Sequence, residues 1–212
     1  MARYTLYGFN GSTYVRTIRM LLHEKGIEYD QVPVNVLAGE PRSEEHLRRH
    51  PFGKVPTIET DGVSLYETGA VAELIEGQNP QAPSFIPEDV VERARMRQWM
   101  GVIDNYTYAA VVGTIVWQRV VNPAVGESTD EQVCRDALPT ARYHLGVFDR
   151  ALAETTYLAG SRLSLADLYL APIMAYLSMT PEGEALLGEH ANLARWWDAI
   201  QARDSFRETP PN

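Results

Sequence analysis

The segment from His50 to Ile75, HPFGKVPTIETDGVSLYETGAVAELI, constrains the fold of this chain more than any other. Val55 precedes Pro56, so its backbone is restricted to extended conformations, and the bond between the two is of the kind that can be cis. Asp61-Gly62 separates two runs rich in β-forming residues, and this dipeptide is the strongest short signal for a hairpin turn. The segment therefore predicts a rigid proline turn followed by an antiparallel hairpin.

A helix start follows the hairpin directly. Glu67-Thr68-Gly69 opens a helical pattern that continues through Ile75. A carboxylate, a hydroxyl and several unpaired backbone amides therefore meet at one helix N-terminus, where an anion is stabilised. This corner is suited to hold the carboxylate and the amino group of one ligand together.

Composition and charge exclude several classes of function. The 212 residues suffice for one large domain or two small ones. The formal net charge of −9 disfavours nucleic acid or an anionic membrane as the main partner, because both reward basic patches. The single cysteine, Cys134, permits no internal disulfide and no cysteine-rich metal site, which fits a reducing cytoplasm.

The N-terminal part of the chain predicts a βαβ unit. The pattern predicts a strand over Arg3–Tyr7, a helix over Thr13–Lys25 that stops at Gly26, and a second strand over Tyr29–Val36. The crossover in such a unit is right-handed. A short helix near Glu44–Arg49, the hairpin and the helix after it complete a predicted α/β domain.

The remainder of the chain predicts helices only. Residues 79–87, which are rich in proline and polar side chains, mark a linker between a domain at 1–78 and a domain at 88–212. No convincing alternating pattern predicts a strand beyond the linker. Helical periodicity covers four stretches, Glu88–Val121, Asp130–Ala153, Ser164–Leu177 and Ala191–Ala202.

The third of these helices begins with a capping box. Ser164 is followed three residues later by Asp167, so that the hydroxyl and the carboxylate can satisfy backbone amides at the helix start. The predicted role of Asp167 is therefore structural rather than catalytic.

These features together resemble one known family. The order of Val55-Pro56, the hairpin and Glu67-Thr68 closely resembles the glutathione-binding half of cytosolic glutathione transferases, with threonine in place of the usual serine. Residues 158–172, LAGSRLSLADLYLAP, resemble the capping box that opens the central helix of the second domain in that family. The resemblance covers nearly the whole chain. It implies an α/β thioredoxin-like N-terminal domain followed by an all-α helical-bundle C-terminal domain.

The resemblance also implies a residue that activates the thiol of glutathione. The thiolate is the nucleophile, and a free thiol titrates near about 8.5. Ser12 precedes the helix that begins near Thr13, where its hydroxyl can donate to a bound sulfur while the helix dipole favours negative charge. The spacing of Tyr7-Gly8, Ser12 and Arg16 is similar to that of the serine-type phi, theta and delta classes. Tyr7 and Thr13 remain alternative activators.

The family pattern implies contacts for the rest of glutathione. The acidic residue and the hydroxyl at the helix start hold its γ-glutamyl end, a backbone segment pairs with its cysteinyl unit, and a cation meets its glycine carboxylate. The residues assigned to these contacts are Arg42, Lys54, Val55, Pro56, Glu67 and Thr68.

The electrophile is expected between the two predicted domains. The first long helix of the second domain carries aromatic and small side chains at three- and four-residue spacing, opposite the loop after the first strand. The expected pocket residues are Phe9, Asn10, Tyr106, Ala110 and Trp117.

The resemblance predicts a cytoplasmic, homodimeric glutathione transferase that acts in detoxification. Its co-substrate would be glutathione, and its second substrate a small hydrophobic electrophile. No bound metal, nucleic acid or membrane is expected. Two alternatives stay open. One is glutathione-dependent β-aryl ether cleavage, dehalogenation or isomerisation, because the stretch RARMRQW with Asp104, Tyr106 and Trp117 resembles bacterial β-aryl etherases. The other is a non-catalytic glutathione-binding or regulatory protein with the same fold.

Overall fold

A four-stranded sheet forms the centre of the first of two structural units. In the computed structural model, which describes residues 3–211, the strands have the order β2-β1-β3-β4. The β1 strand pairs in parallel with β2 and antiparallel with β3, which in turn pairs antiparallel with β4. The strands are β1 (Tyr4–Tyr7), β2 (Tyr29–Val32), β3 (Thr57–Thr60) and β4 (Val63–Tyr66).

Three helices of this unit cover the sheet on both faces. Tyr4 and Leu6 point from β1 into the core, and α1 and α3 pack against each other there. Tyr7 points to the opposite face, where Arg49 of α2 lies over its ring. The helices are α1 (Thr13–Glu24), α2 (Glu44–Arg49) and α3 (Thr68–Gln78), and a single 3₁₀ turn (Glu40–Arg42) precedes α2.

The structure confirms the predicted hairpin and shortens one predicted strand. Asp61 and Gly62 have φ values of 47° and 78°, the two positive values that a type I′ turn requires. The β2 strand ends at Val32 rather than at Val36. Pro33 follows it directly and has no N–H to donate to a neighbouring strand.

The second unit comprises residues 86–202 and is helical. Its α6 helix is buried along nearly all of its length, as expected of a central helix. Trp99 and Phe148 pack with their ring centroids 5.2 Å apart, which joins two of the surrounding helices. The helices are α4 (Val90–Val102), α5 (Glu131–Ala151), α6 (Leu165–Leu177), α7 (Pro181–Glu189) and α8 (Ala191–Gln201).

The helical stretch that follows the linker is not the regular α-helix predicted over Glu88–Val121. The N–H of Asn122 donates to the carbonyl of Trp117, five residues earlier, so the turns there are wider than α-helical turns. A spacing of four residues between apolar side chains fits both kinds of turn, and the sequence pattern therefore did not distinguish them. The π-helical parts are Ile103–Thr107 and Val111–Val121, with short α-helical turns at Tyr108–Ala110 and Asn122–Ala124.

The division into units differs from the predicted domain boundaries at both ends. The first unit includes the chain through Phe85, and residues 203–211 belong to it as well, including the short helix α9 (Asp204–Arg207). The prediction had placed those last residues in the helical domain. Within residues 3–211, none of the helices combines the length and the apolar character needed to cross a membrane.

Candidate active site

Ser12 lies at the N-terminus of α1 and is half-buried. Its Oγ accepts a hydrogen bond from the backbone N–H of Val15 at 3.3 Å, which is the N-cap geometry. A serine hydroxyl that accepts in this way still has its own proton to donate. The Ser12 hydroxyl can therefore cap the helix and donate to an anion at the same time.

A close approach between the loop and α1 fixes the path of the chain before Ser12. Gly8 has a φ of 155°, and a Cβ atom at this position would lie 2.3 Å from Cγ2 of Val15. Such a contact is far too short, so only glycine permits this packing. The loop that leads to Ser12 is thus seated directly on the first turn of α1.

Tyr7 and Thr13, the alternative activators, have different surroundings. The Tyr7 hydroxyl donates to Oε2 of Glu59 at 2.8 Å on the α2 face of the sheet. Burial and the adjacent Glu59 carboxylate both raise the pKa of Tyr7, which keeps its phenol protonated and committed to that partner. The Thr13 hydroxyl is buried. Of these three hydroxyl groups, that of Ser12 is the one that caps α1.

Glu67, the residue before α3, has an unusual backbone conformation. Its φ of 68° and ψ of 117° lie outside the regions that residues with a Cβ normally occupy. Its side chain is exposed and makes no capping hydrogen bond to α3, whereas Thr68 is buried. Strained backbone of this kind is concentrated at binding sites, where it holds a side chain or a backbone group in a required direction.

Two variants of Glu67 separate its side chain from its backbone conformation. Glu67→Ala and Glu67→Gly both remove the carboxylate, but only glycine adopts a positive φ without strain. We expect the free energy of unfolding of the glycine variant to exceed that of the alanine variant by about 1 kcal/mol. Urea denaturation of the two variants measures this difference. Equal stability would show that the backbone at residue 67 is not strained.

The segment between α2 and β3 brings the two candidate cations to one turn. The Val55-Pro56 bond is cis. Gly53 has a φ of 60°, and a Cβ atom there would lie 3.0 Å from Cδ of Arg42, so the Arg42 side chain lies against this turn. Lys54 is the next residue in the chain, and both cationic side chains are exposed. Arg42 therefore contacts the turn that Lys54 follows in the chain.

His46 holds the backbone of Lys54 through a hydrogen bond, a role that was not predicted from the sequence. Its Nε2 lies 2.7 Å from the carbonyl oxygen of Lys54, to which it donates. His50 is buried with its ring centroid 4.8 Å from that of Tyr66. Burial lowers the pKa of His50 against the opposing effect of the Glu67 charge, so His50 is a packing residue here.

Comparison with known proteins identifies the family. The family models described as "Glutathione S-transferase, N-terminal domain" and "Glutathione S-transferase, C-terminal domain" match residues 6–83 and 108–204. Glutathione S-transferase 1 of Zea mays is 32% identical over 209 residues, covering 98% of this chain and 96% of the relative. The chain belongs to the glutathione S-transferase family. It is therefore a transferase with glutathione as co-substrate.

Solved structures of other glutathione S-transferases have the same fold. Glutathione transferase F7 from Populus trichocarpa is 31% identical with a TM-score of 0.89, covering 97% of both chains. Glutathione S-transferase I from maize, in complex with an atrazine glutathione conjugate, is 31% identical with a TM-score of 0.85, covering 97% of this chain and 95% of the other. The two-domain fold predicted from the sequence is confirmed.

The comparisons favour conjugation over the two alternatives. The beta-etherase LigF from Sphingobium sp. strain SYK-6 is 23% identical with a TM-score of 0.84, covering 97% of this chain and 98% of the other. At this identity the likeness shows the fold alone, so it gives no support to ether cleavage. A non-catalytic role is not favoured either, because the curated relatives are named as transferases.

Proposed function

We propose that this glutathione S-transferase conjugates the glutathione thiolate to a small hydrophobic electrophile and that Ser12 stabilises the thiolate. The position of Ser12 carries the proposal. Its hydroxyl stands at the start of a twelve-residue helix and already accepts from the helix, so its proton is available for the sulfur. The N-terminal end of the helix dipole favours the same negative charge.

The chemistry needs a lowered thiol pKa rather than a strong base. A free thiol with a pKa of about 8.5 is mostly protonated at neutral pH, and the thiolate is the attacking species. A hydrogen bond to the sulfur and the helix dipole stabilise the thiolate relative to the thiol. The sulfur then forms a bond to the electrophilic carbon, and the leaving group departs with its electron pair.

We assign the contacts to the rest of glutathione from the geometry of the first unit. Glu67 and Thr68 stand at the start of α3, where the carboxylate and the helix amides can meet the amino and carboxylate groups of the γ-glutamyl end. The backbone of Val55, before Pro56, is proposed to pair with the cysteinyl unit. Arg42, whose side chain lies against Gly53, and Lys54, the residue after Gly53, are proposed to bind the glycine carboxylate.

The proposed electrophile contacts are apolar except for the amide of Asn10. Tyr106 and Trp117 leave 61% and 47% of their surfaces exposed on the helical unit, and Ala110 lies between them in sequence. Phe9 and Asn10 lie in the loop before Ser12. Aromatic surface of this kind binds apolar ligands with little loss of side-chain entropy. The similar maize enzyme is in complex with an atrazine glutathione conjugate, which supports an aromatic electrophile here too.

The test is a titration of bound glutathione in Ser12→Ala. We expect the pKa of the bound thiol to rise by about 1–2 units, because the hydrogen bond to sulfur is lost. The ultraviolet absorbance of the thiolate, followed against pH on saturated protein, measures this pKa. Ser12→Thr keeps a hydroxyl and is expected to retain most of the effect.

Two control variants test the alternative activators. Tyr7→Phe and Thr13→Val remove the other hydroxyls and are expected to leave the bound thiol pKa within a few tenths of a unit. A rise of the pKa in either of them, with no change in Ser12→Ala, would transfer the assignment. Failure of the unmodified protein to bind glutathione would contradict the proposed function itself.

We further propose that the protein is a cytoplasmic homodimer that acts in detoxification. Its one cysteine, Cys134, is buried and free, as is usual in a reducing compartment. The family resemblance supports the dimer. Sedimentation equilibrium would give twice the chain mass of 23.8 kDa for a homodimer and the single mass for a monomer.

A further inference from the structure

The α1 helix has a charged face that is buried rather than solvated. Arg16 and Arg19 expose only 3% and 8% of their surfaces, and every residue from Val15 to Leu22 is buried. One side of α1 packs in the core of the first unit and against α3. The charged side is covered by residues 203–211, which we call the C-terminal strap. Charged residues on a helix usually face water, so the burial of these arginines under the C-terminal strap is unusual.

The strap binds both arginines through backbone carbonyl groups. Nη2 of Arg16 donates to the carbonyl oxygen of Phe206 at 3.0 Å, and its guanidinium carbon lies 4.1 Å from the centre of the Phe206 ring. Nη1 of Arg19 donates to the carbonyl oxygen of Pro210 at 2.8 Å. Arginine suits this task because its planar group donates in several fixed directions and stacks on aromatic rings.

Glu24, at the other end of α1, forms the third attachment. Its carboxylate accepts from Nε and Nη2 of Arg203 at 2.6 Å and 2.8 Å, and from the Ser205 hydroxyl at 2.5 Å. Burial raises the pKa of Glu24, but the hydrogen bonds from Arg203 and Ser205 outweigh this effect and hold the pKa below its ordinary value. The ion pair between Arg203 and Glu24 is bidentate, which fixes its orientation as well as its distance.

These attachments join the strap to α1 from its second turn to its last. The first of them is one helical turn from Ser12, since the N–H of Arg16 donates to the Ser12 carbonyl at 2.9 Å. A rotation of α1 by about 20° would move a Cα atom at the helix radius of about 2.3 Å by about 0.8 Å. A hydrogen bond to sulfur does not tolerate such a displacement well.

We propose that the C-terminal strap positions the N-terminus of α1 for thiol activation, and that Arg16 and Glu24 are positioning residues for this reaction. The proposal rests on the assignment of Ser12 in the proposed function. It assigns no contact with glutathione to the strap. It concerns the alignment of the helix that carries the activating hydroxyl.

A charge exchange at Glu24 and Arg203 tests the proposal. A direct Coulomb effect on the sulfur would have opposite signs in the two reversals, because positive charge at residue 24 favours the thiolate and negative charge at residue 203 disfavours it. A rise of the thiol pKa in both variants therefore reports the position of α1 rather than the added charge.

We expect Glu24→Arg and Arg203→Glu each to raise the pKa of the bound thiol by about 0.5 units. The affinity for glutathione, measured by calorimetry on the same samples, is expected to change less than twofold, because the contacts at Glu67 and Thr68 are untouched. The double variant restores an ion pair of opposite polarity and is expected to recover at least half of the shift. A merely structural role would lower the thermal midpoint and leave the thiol pKa unchanged.

An exposed ion pair in the same unit provides the matched control. Arg3 and Asp30 are 2.7 Å apart and largely exposed, and Asp30→Arg makes a comparable change of charge away from α1. It is expected to leave the thiol pKa unaffected. A shift in Asp30→Arg as large as that in Glu24→Arg would overturn the proposal, because net charge would then explain both.

The remaining outcomes are also decisive. If the single reversals fold poorly, Arg203→Lys and Ser205→Ala weaken the same attachment without reversing charge, and an unchanged thiol pKa in both would overturn the proposal. A normal thiol pKa in the unmodified protein with bound glutathione would contradict the proposed function rather than the strap. A lowered pKa that no strap variant changes would contradict the strap alone.

Discussion

Replacing Asp167 with alanine is expected to lower the free energy of unfolding by about 3–4 kcal/mol. The Asp167 side chain is fully buried at the start of α6. Its Oδ1 accepts from the N–H of Leu158 and from Nε1 of Trp196, and its Oδ2 accepts from the N–H and hydroxyl of Ser164, all between 2.8 and 2.9 Å. Alanine would leave these four donors buried without an acceptor.

Two further substitutions show which part of this arrangement matters. Asp167→Asn keeps the size of the side chain, but its NH₂ group would face two donors in place of an oxygen. We expect it to cost about 2 kcal/mol despite the similar shape. Ser164→Ala removes one cap hydroxyl and is expected to cost about 1 kcal/mol. Urea denaturation measures all three losses, and an alanine variant within about 1 kcal/mol of the unmodified protein would contradict the prediction.

Replacing Glu76 with alanine is expected to lower the free energy of unfolding by about 3–5 kcal/mol. Its Oε2 lies 3.1 Å from Nζ of Lys25, and the two side chains are only 5% and 1% exposed. Its Oε1 also accepts from the N–H of Phe85 at 3.0 Å, and Lys25 donates to the carbonyl of Pro83 at 2.8 Å. Alanine at position 76 would leave a buried ammonium group without its counter-charge.

The comparison with an exposed ion pair makes this prediction specific. Glu44 and Arg48 are one turn apart on α2 and largely exposed, so Glu44→Ala is expected to cost less than about 0.5 kcal/mol. The double variant Lys25→Met with Glu76→Leu is expected to be more stable than Glu76→Ala, because it leaves no unpaired charge. Thermal and urea denaturation measure these differences. Equal losses for Glu44→Ala and Glu76→Ala would contradict the role of burial.

The features that were predicted correctly depend on residues close together in the chain. The Asp61-Gly62 turn needs positive φ at both residues, and few dipeptides supply it. The two residues of the capping box, Ser164 and Asp167, likewise lie within one helical turn, and the structure confirms the box. Local chemistry of this kind is visible in a sequence without knowledge of the fold.

The features that were missed depend on contacts between distant residues. Trp196 completes the Asp167 site from a separate helix, and no local pattern indicates it. The cover over Arg16 and Glu24 was likewise not predicted, because it comes from residues near the other end of the described chain. The unusual φ of Glu67 also has no signal in its residue type, because glutamate rarely adopts it.

The first unit is interrupted in sequence, and this has a practical consequence for protein engineering. Because residues 3–85 and 203–211 belong to one unit, residues 86–202 are topologically an insertion within it. A chimaera that exchanges the helical unit with that of a relative therefore needs two crossover points, one after Phe85 and one before Arg203. A single crossover in the linker near residue 78 would separate Glu76 from Phe85 and pair α1 with a foreign C-terminal segment.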